Sequence, residues 1–504
     1  MNIPYLNYIN KFLGFFILTI TLIFLSFSCK ETQEFSPYNY GLSVKIEDKL
    51  ESEEEKKDRI TLGFAVPLSG GLKELSTPIF NGAVLALQEV NLLPSETEEK
   101  SIINTNEEDR KEDSEQEPEG ESANNNQDEE NKENSPNKEE LEAEKLFGYL
   151  EAEKLFGYPV NIVIEDTFTN SEHGKMVAEK FAFLDNVIAI IGAYSSDVTI
   201  AMSDVTKRSN TVMISPTSSS PRITNLIDSD TVFRTVPSDD LQGKFLAKIA
   251  REDKAYDYVA VMHQDNAYGN GLANSFKEEF KKREGITNLF PYDPNKAEFN
   301  SEINEVNATL EYYDLSKDTY NTAVLIIGYP TDVKTILSQF SDKSIKPDFF
   351  FSDGVQSPEV FEEQNKLFVE GSWGTGFATY DSPYLDTFKN KYKAQFGNNP
   401  VAFSLNMYDA TAIILLALSG ADNPLDKNQV KRAVRYVTNA PGEKINAGEL
   451  KKGIALLKEN KDIDYVGLGG NHEFDEHGDI NYIFSIWEVR DSKIITVDTR
   501  KASS

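Results

Sequence analysis

One cysteine stands in the 504 residues, Cys29. A lone thiol excludes an intramolecular disulfide. Positive charge is scarce as well: 51 Lys and Arg face 83 Asp and Glu, a formal net charge of −32. That balance opposes nucleic acid as a partner. Catalytic signatures are missing too. The sequence has no GxSxG elbow, no HExxH and no P-loop, and neither GSWGTGFA nor NAYGNG is a nucleotide-binding glycine loop. Without a nucleophile–base pair the chain reads as a non-enzyme, and no cofactor is expected.

Long apolar runs are also rare. One opens the chain, Phe12 to Phe27, after Lys11, and it ends LSFSC. It is short for a membrane span and has the layout of a secretory signal. Cys29 after Ser28 resembles the lipobox of bacterial lipoproteins. That resemblance implies a signal peptide over 1–28 and an acylated mature N-terminus at Cys29. The protein would then sit outside the cytoplasm on a membrane anchor. The polar residues 29–58 suit a tether.

Between Ser95 and Glu140 there are 18 acidic and 5 basic residues, so −13 of the net charge sits in 46 positions. A segment so poor in apolar residues cannot bury a core and is expected to be a disordered insertion. Its spacing matches no calcium loop. The nine residues LEAEKLFGY then occur twice, at 141–149 and 150–158. As one helix the copies would face opposite sides, since nine residues at ~100° each end half a turn out of phase. The second copy runs into NIVIED and is expected to be the structural one.

What remains alternates short apolar runs with amphipathic segments. ITLGFAV (60–66) precedes a helix from about Pro78 to Asn91. NIVIED precedes Glu172–Phe183, VIAIIG precedes Val198–Arg208, and YVAVMH precedes Gly269–Arg283. AVLIIG precedes Thr331–Phe340, and PDFFFSD follows. Continuous apolar runs separated by helices predict parallel strands covered on both faces, an α/β doubly wound fold. Ligands of such sheets bind beyond the carboxyl ends of the strands. At those ends stand Ser195 and Ser196, the run SPTSSSP (215–221), Tyr268, Tyr329 and Asp353.

The stretches ITLGFAVPLSG, FNGAVLALQEVN, IIGAYSSDVT, MISPTSSSP, VFRTVPSDDLQGK, DNAYGNGLANSFKEEF, LIIGYPTD, FFSDGV, SLNMYDATAIILLAL and FDEHGDI follow one another in order. Together they resemble the leucine/isoleucine/valine-binding family of type I periplasmic binding proteins, over about Arg59 to Val497. The resemblance implies two α/β lobes joined by three crossings: 59–237 with 380–466, and 238–379 with 467–504. It also implies a ligand-binding set of Ser195, Ser196, Thr217, Ser218 and Ser219 on one lobe and Tyr268, Tyr329 and Asp353 on the other. Hydroxyls and backbone N–H groups would take the carboxylate of an amino acid, with Asp353 taking its ammonium. Two departures stand out. Leu75 replaces a common aromatic, and Asp353 replaces a longer Glu, moving the anchor by about one methylene. HEFDEH (472–477) invites a metal reading, but FDEHGD matches the family's late turn, so no metal is expected. The function implied is a solute-capturing lipoprotein serving an ABC transporter permease. A sensory domain using the same clamp, or an envelope lipoprotein that contacts a partner protein, is the alternative.

Overall fold

The structure, a computed structural model, describes residues 59–93, 150–314, 320–341, 346–361, 366–481 and 483–501. The signal run, Cys29, the tether, the acidic insertion and the first LEAEKLFGY copy lie outside the described residues. All described residues fall within one of the two units into which the chain divides, Leu50–Glu133 with Phe147–Ser504.

Six strands form a first sheet: β1 (Ile60–Val66), β2 (Leu150–Leu155), β3 (Tyr158–Asp166), β4 (Ala189–Gly192), β5 (Val212–Ser215) and β6 (Val232–Arg234), in the order β2-β3-β1-β4-β5-β6. A seven-stranded sheet contains β7 (Tyr258–Gln264), β8 (Ile286–Tyr292), β9 (Thr322–Ile327), β10 (Asp348–Phe351) and β11 (Trp373–Phe377). A two-stranded ribbon, β12 (Glu443–Asn446) with β13 (Ile463–Val466), is parallel. The chain then ends on β14 (Ile483–Arg490) and β15 (Lys493–Lys501), which complete the second sheet in the order β15-β14-β11-β10-β9-β7-β8. The central strands are parallel and their apolar runs are buried on both faces, as in β1 and β7, where all seven residues are buried.

The helices follow the strands closely. They are α1 (Lys73–Glu89), α2 (Ser171–Phe183), α3 (Ser196–Ser209), the single turn α4 (Pro221–Thr224), α5 (Asp239–Lys248), α6 (Ala267–Lys282), α7 (Asn300–Asp314) and α8 (Pro330–Ser341). After β11 come α9 (Leu385–Phe396), α10 (Ser404–Gly420), α11 (Lys427–Thr438) and α12 (Leu450–Lys458). Local chemistry explains several starts: Asn170 caps α2 through Glu172 N and His173 N, and Asp426 caps α11 through Asn428 N and Gln429 N. α10 is apolar on every side and is correspondingly buried along its length. It crosses α1 at Gly82, where an added β-carbon would lie 2.0 Å from the Ser404 carbonyl oxygen.

Two expectations need correction. α1 begins five residues before Pro78, which sits inside the helix. A proline marks a first turn by preference but does not define one when the flanking turn packs well. The second LEAEKLFGY copy is not helical. It forms β2 and a hairpin onto β3, with Leu150 opposite Ile162 and Leu155 opposite Tyr158. The turn is Phe156–Gly157, both left-handed at φ 55° and 89°, the geometry that joins two twisted strands most tightly. The expected doubly wound α/β fold with parallel sheets is present, and β2, β14 and β15 add antiparallel edges to it.

Candidate ligand-binding cleft

The carboxyl ends of the two sheets face a common cavity, with about 360 Å³ of empty space when its opening to solvent is included. Its apolar wall is Leu72, Leu75 and Ile79 from the start of α1, with Tyr194 and Phe403. Ser196 and Thr217 contribute the polar atoms on the first-sheet side. Tyr268, Tyr329, Asp353 and Gly354 line the second-sheet side. Five of the eight residues expected from sequence therefore meet at one cavity.

The hydroxyls divide by what they already bond. Ser218 Oγ contacts the carbonyls of Ala193 and Tyr194 at 3.2 Å and Thr199 Oγ1 at 2.8 Å. It braces the loop rather than lining the cavity. Ser219 Oγ donates to Asp239 Oδ2 at 3.0 Å. Thr217 Oγ1 lines the cavity but donates to Tyr194 O at 2.6 Å. Ser195 is buried at the α3 N-cap and meets the Tyr329 hydroxyl. Ser196 Oγ accepts from Ser220 N at 3.2 Å, a bond that leaves its own hydrogen free to donate into the cavity.

The loop carrying these residues is pinned from behind. Arg234, fully buried at the end of β6, donates to Ser220 O at 2.9 Å and Ser218 O at 3.4 Å. Its other edge forms a bidentate pair with Asp479, at 2.6 and 2.7 Å. Asp479 belongs to the FDEHGD turn, which Asp475 closes by accepting from His477 N and Asp479 N. That turn is a brace for the hydroxyl loop. His472 is buried against Asp409 instead, with Nε2 3.6 Å from Oδ2. Among the described residues no group of three or more metal-ligating side chains occurs.

On the second sheet, the Tyr268 and Tyr329 rings stack at 5.5 Å and 9°. Tyr268 Oη donates to Asp353 Oδ1 at 2.8 Å and lies 2.9 Å from Ser352 Oγ. Asp353 is buried, and desolvation raises its carboxyl above the usual range against hydrogen bonds from Tyr268 and Gln242. Sequence reasoning missed a second acid. Asp239, the first residue of α5, is fully buried and close enough to Asp353 for the two charges to repel. Desolvation first, and Asp353 second, push its carboxyl well up. Among the described residues its Oδ1 has no hydrogen-bond partner, and neither has Oε1 of buried Gln242. Two buried carboxylates with an unpartnered oxygen suit a cation. The only signal in the sequence was the Asp239–Asp240 pair, which also reads as ordinary acids in a first helical turn.

Residues 149–492 match the model of the receptor family ligand binding region. Among curated relatives, the Leu/Ile/Val-binding protein homolog 1 of Brucella suis is 27% identical over 278 residues, 55% of this chain and 71% of that protein. The chemotactic signal transduction system substrate-binding protein BasB of Halobacterium salinarum is 24% identical over 305 residues, 59% of this chain and 69% of that protein. The leucine-binding protein LivK of Thermotoga maritima superposes with a TM-score of 0.65 at 18% identity, over 88% of this chain and 99% of the other. The two doubly wound sheets, the cavity between their carboxyl ends and the family match together make the chain a member of the receptor-family ligand-binding regions, with the fold of a type I periplasmic binding protein.

Proposed function

We propose that this protein captures a free α-amino acid with an apolar, branched-chain type of side chain and passes it to an ABC transporter permease. The observation that carries this reading is the polarity of the cavity. Asp353, with Asp239 nearby, stands on one side and Ser196 with its free hydrogen on the other, and the Leu72–Leu75–Ile79 wall lies alongside. The ammonium meets the acids, the carboxylate meets Ser196 and loop N–H groups, and the side chain meets the apolar wall. Because the partners come from two sheets, the ligand favours the state in which the two loop sets meet. On this reading the protein works outside the cytoplasm, anchored to the membrane through Cys29. The lobes are 59–237 with 380–466, and 238–379 with 467–504.

The test is calorimetric titration against the twenty amino acids. Leucine, isoleucine or valine should give the tightest binding. Asp353→Ala should weaken it by about 3–5 kcal/mol, several hundredfold or more, because a buried ammonium loses its counter-charge. Unchanged affinity in that variant removes the site assignment. No heat with any amino acid favours a protein partner over a solute. The likeness to BasB supports a second use of the same clamp, presentation of the loaded protein to a signalling receptor. Deleting the permease would abolish uptake in the first case and leave the behavioural response in the second.

A further inference from the structure

Capture requires the loops of the two sheets to meet, and several contacts join them outside the cavity, among them Thr331 Oγ1 to Gly71 O at 3.3 Å and a cluster between α3, α4 and α6. Asp197, in the first turn of α3 beyond β4, accepts the Ala267 N–H with both carboxylate oxygens, at 2.9 and 3.1 Å. Ala267 opens α6, beyond β7 of the other sheet. Its carbonyl accepts from Ser220 Oγ at 2.7 Å. One turn further along α6, a β-carbon on Gly271 would lie 2.6 Å from Pro221 Cδ and 3.2 Å from Ser220 Oγ. The seam has no room for a methyl group there.

These residues do not line the cavity. Their chemistry still suits a reversible joint. The first N–H groups of a helix have no partner within the helix. Asn266 caps α6 through Gly269 N, and the Ala267 N–H is met by a carboxylate from the other sheet. That carboxylate sits at the positive end of the α6 dipole; burial raises it above the ordinary carboxylate range, against the Ala267 N–H and Arg222, which favour its charge. We infer that Asp197, Ser220 and Gly271 form a closure clasp, which holds the two loop sets together and sets ligand affinity without touching the ligand. Asp197 is thus a positioning residue. The clasp rests on the proposed amino-acid capture only for its effect on affinity; its effect on sheet-to-sheet distance stands apart.

Two variants attack the clasp in different ways. Asp197→Ala removes the acceptor. Gly271→Ala inserts a methyl against a proline ring while favouring the helix itself. The full chain would carry nitroxides at Lys207→Cys and Glu278→Cys in a Cys29→Ser background, read by double electron–electron resonance with and without leucine. Leucine affinity would be read by calorimetry. Both variants should shift the distance distribution to longer values. Both should also weaken leucine binding about 10- to 100-fold, the worth of one charge-assisted hydrogen bond, mostly through faster release. Melting temperatures close to wild type would show that the sheets still fold. Wild-type distances together with wild-type affinity in both variants overturn the clasp. If no amino acid binds the wild type but the distances still lengthen in the variants, the ligand reading fails and the clasp stands.

Discussion

Asp479→Ala is a sharp test of how the hydroxyl loop is held. The pair it breaks is buried at both ends, with side-chain exposures of 0% for Arg234 and 10% for Asp479. Removing the carboxylate takes two hydrogen bonds of 2.6 and 2.7 Å from the guanidinium and leaves its charge in the interior, hydrogen-bonded among the described residues to Ser218 O, Ser220 O and Thr224 Oγ1, with buried Asp239 the nearby acid. Breaking one partner of such a pair costs about 3–5 kcal/mol. For a unit of about 150–250 residues each kcal/mol lowers the melting temperature by about 2–4 °C, so a drop of roughly 6–20 °C is expected. Replacing both partners separates charge from shape. Arg234→Met with Asp479→Leu should recover most of the stability, since an apolar pair of similar volume needs no counter-charge. Ligand affinity should not recover with it, because the Ser218 and Ser220 carbonyls have lost their donor. Denaturant unfolding and calorimetric titration of the three proteins read the two quantities. A single variant within about 1 kcal/mol of wild type, or a double variant no better than the single, refutes the argument.

Asp332 is buried, and desolvation raises its carboxyl to about 6 from an ordinary 3.8. The folded state therefore takes up a proton that the unfolded chain leaves off, and stability is lost as pH rises through about 6. The ligand-free protein should gain stability as pH falls from about 7 to about 5, and Asp332→Asn should flatten this dependence in thermal melts. Amino-acid affinity should move the opposite way, falling with pH as Asp353, also raised, loses its charge; titrations across the same window read this. Gly82→Ala should destabilise the chain by about 1–3 kcal/mol or more, measured by denaturant midpoint, because its methyl meets the Ser404 carbonyl. Cys29→Ala should abolish partitioning into detergent, and persistence of partitioning would assign the anchor to the apolar run 12–27.

The strands were readable because central parallel strands are apolar throughout, as in β1 and β7, where all seven residues are buried. Their carboxyl ends located the cavity for the same reason. Hydroxyl roles were not readable. Ser196, Ser218 and Ser219 are equivalent in the sequence, and only the direction of each side chain sends one to the cavity, one to the Tyr194 carbonyl and one to Asp239. The apolar wall was hidden by the misplaced start of α1, since Leu75 lies in the turn before Pro78 and Leu72 caps the helix. The hairpin was missed because LEAEKL has helical composition, and the Phe-Gly turn outweighed it.

The pairing of α1 with α10 has a consequence for how the chain comes to be folded. Glu89, at the end of α1, accepts from the Leu450 N–H, 361 positions further on, and meets the Tyr408 hydroxyl on the way. Gly82 likewise waits for Ser404. At about 5–20 residues per second, roughly 20–70 s of synthesis separate α1 from its last partner. Through that interval the earliest sheet has its strands but lacks the helix that covers one of its faces. Its apolar surface stays open until nearly the whole polypeptide exists, so the first sheet to be made is among the last to be finished.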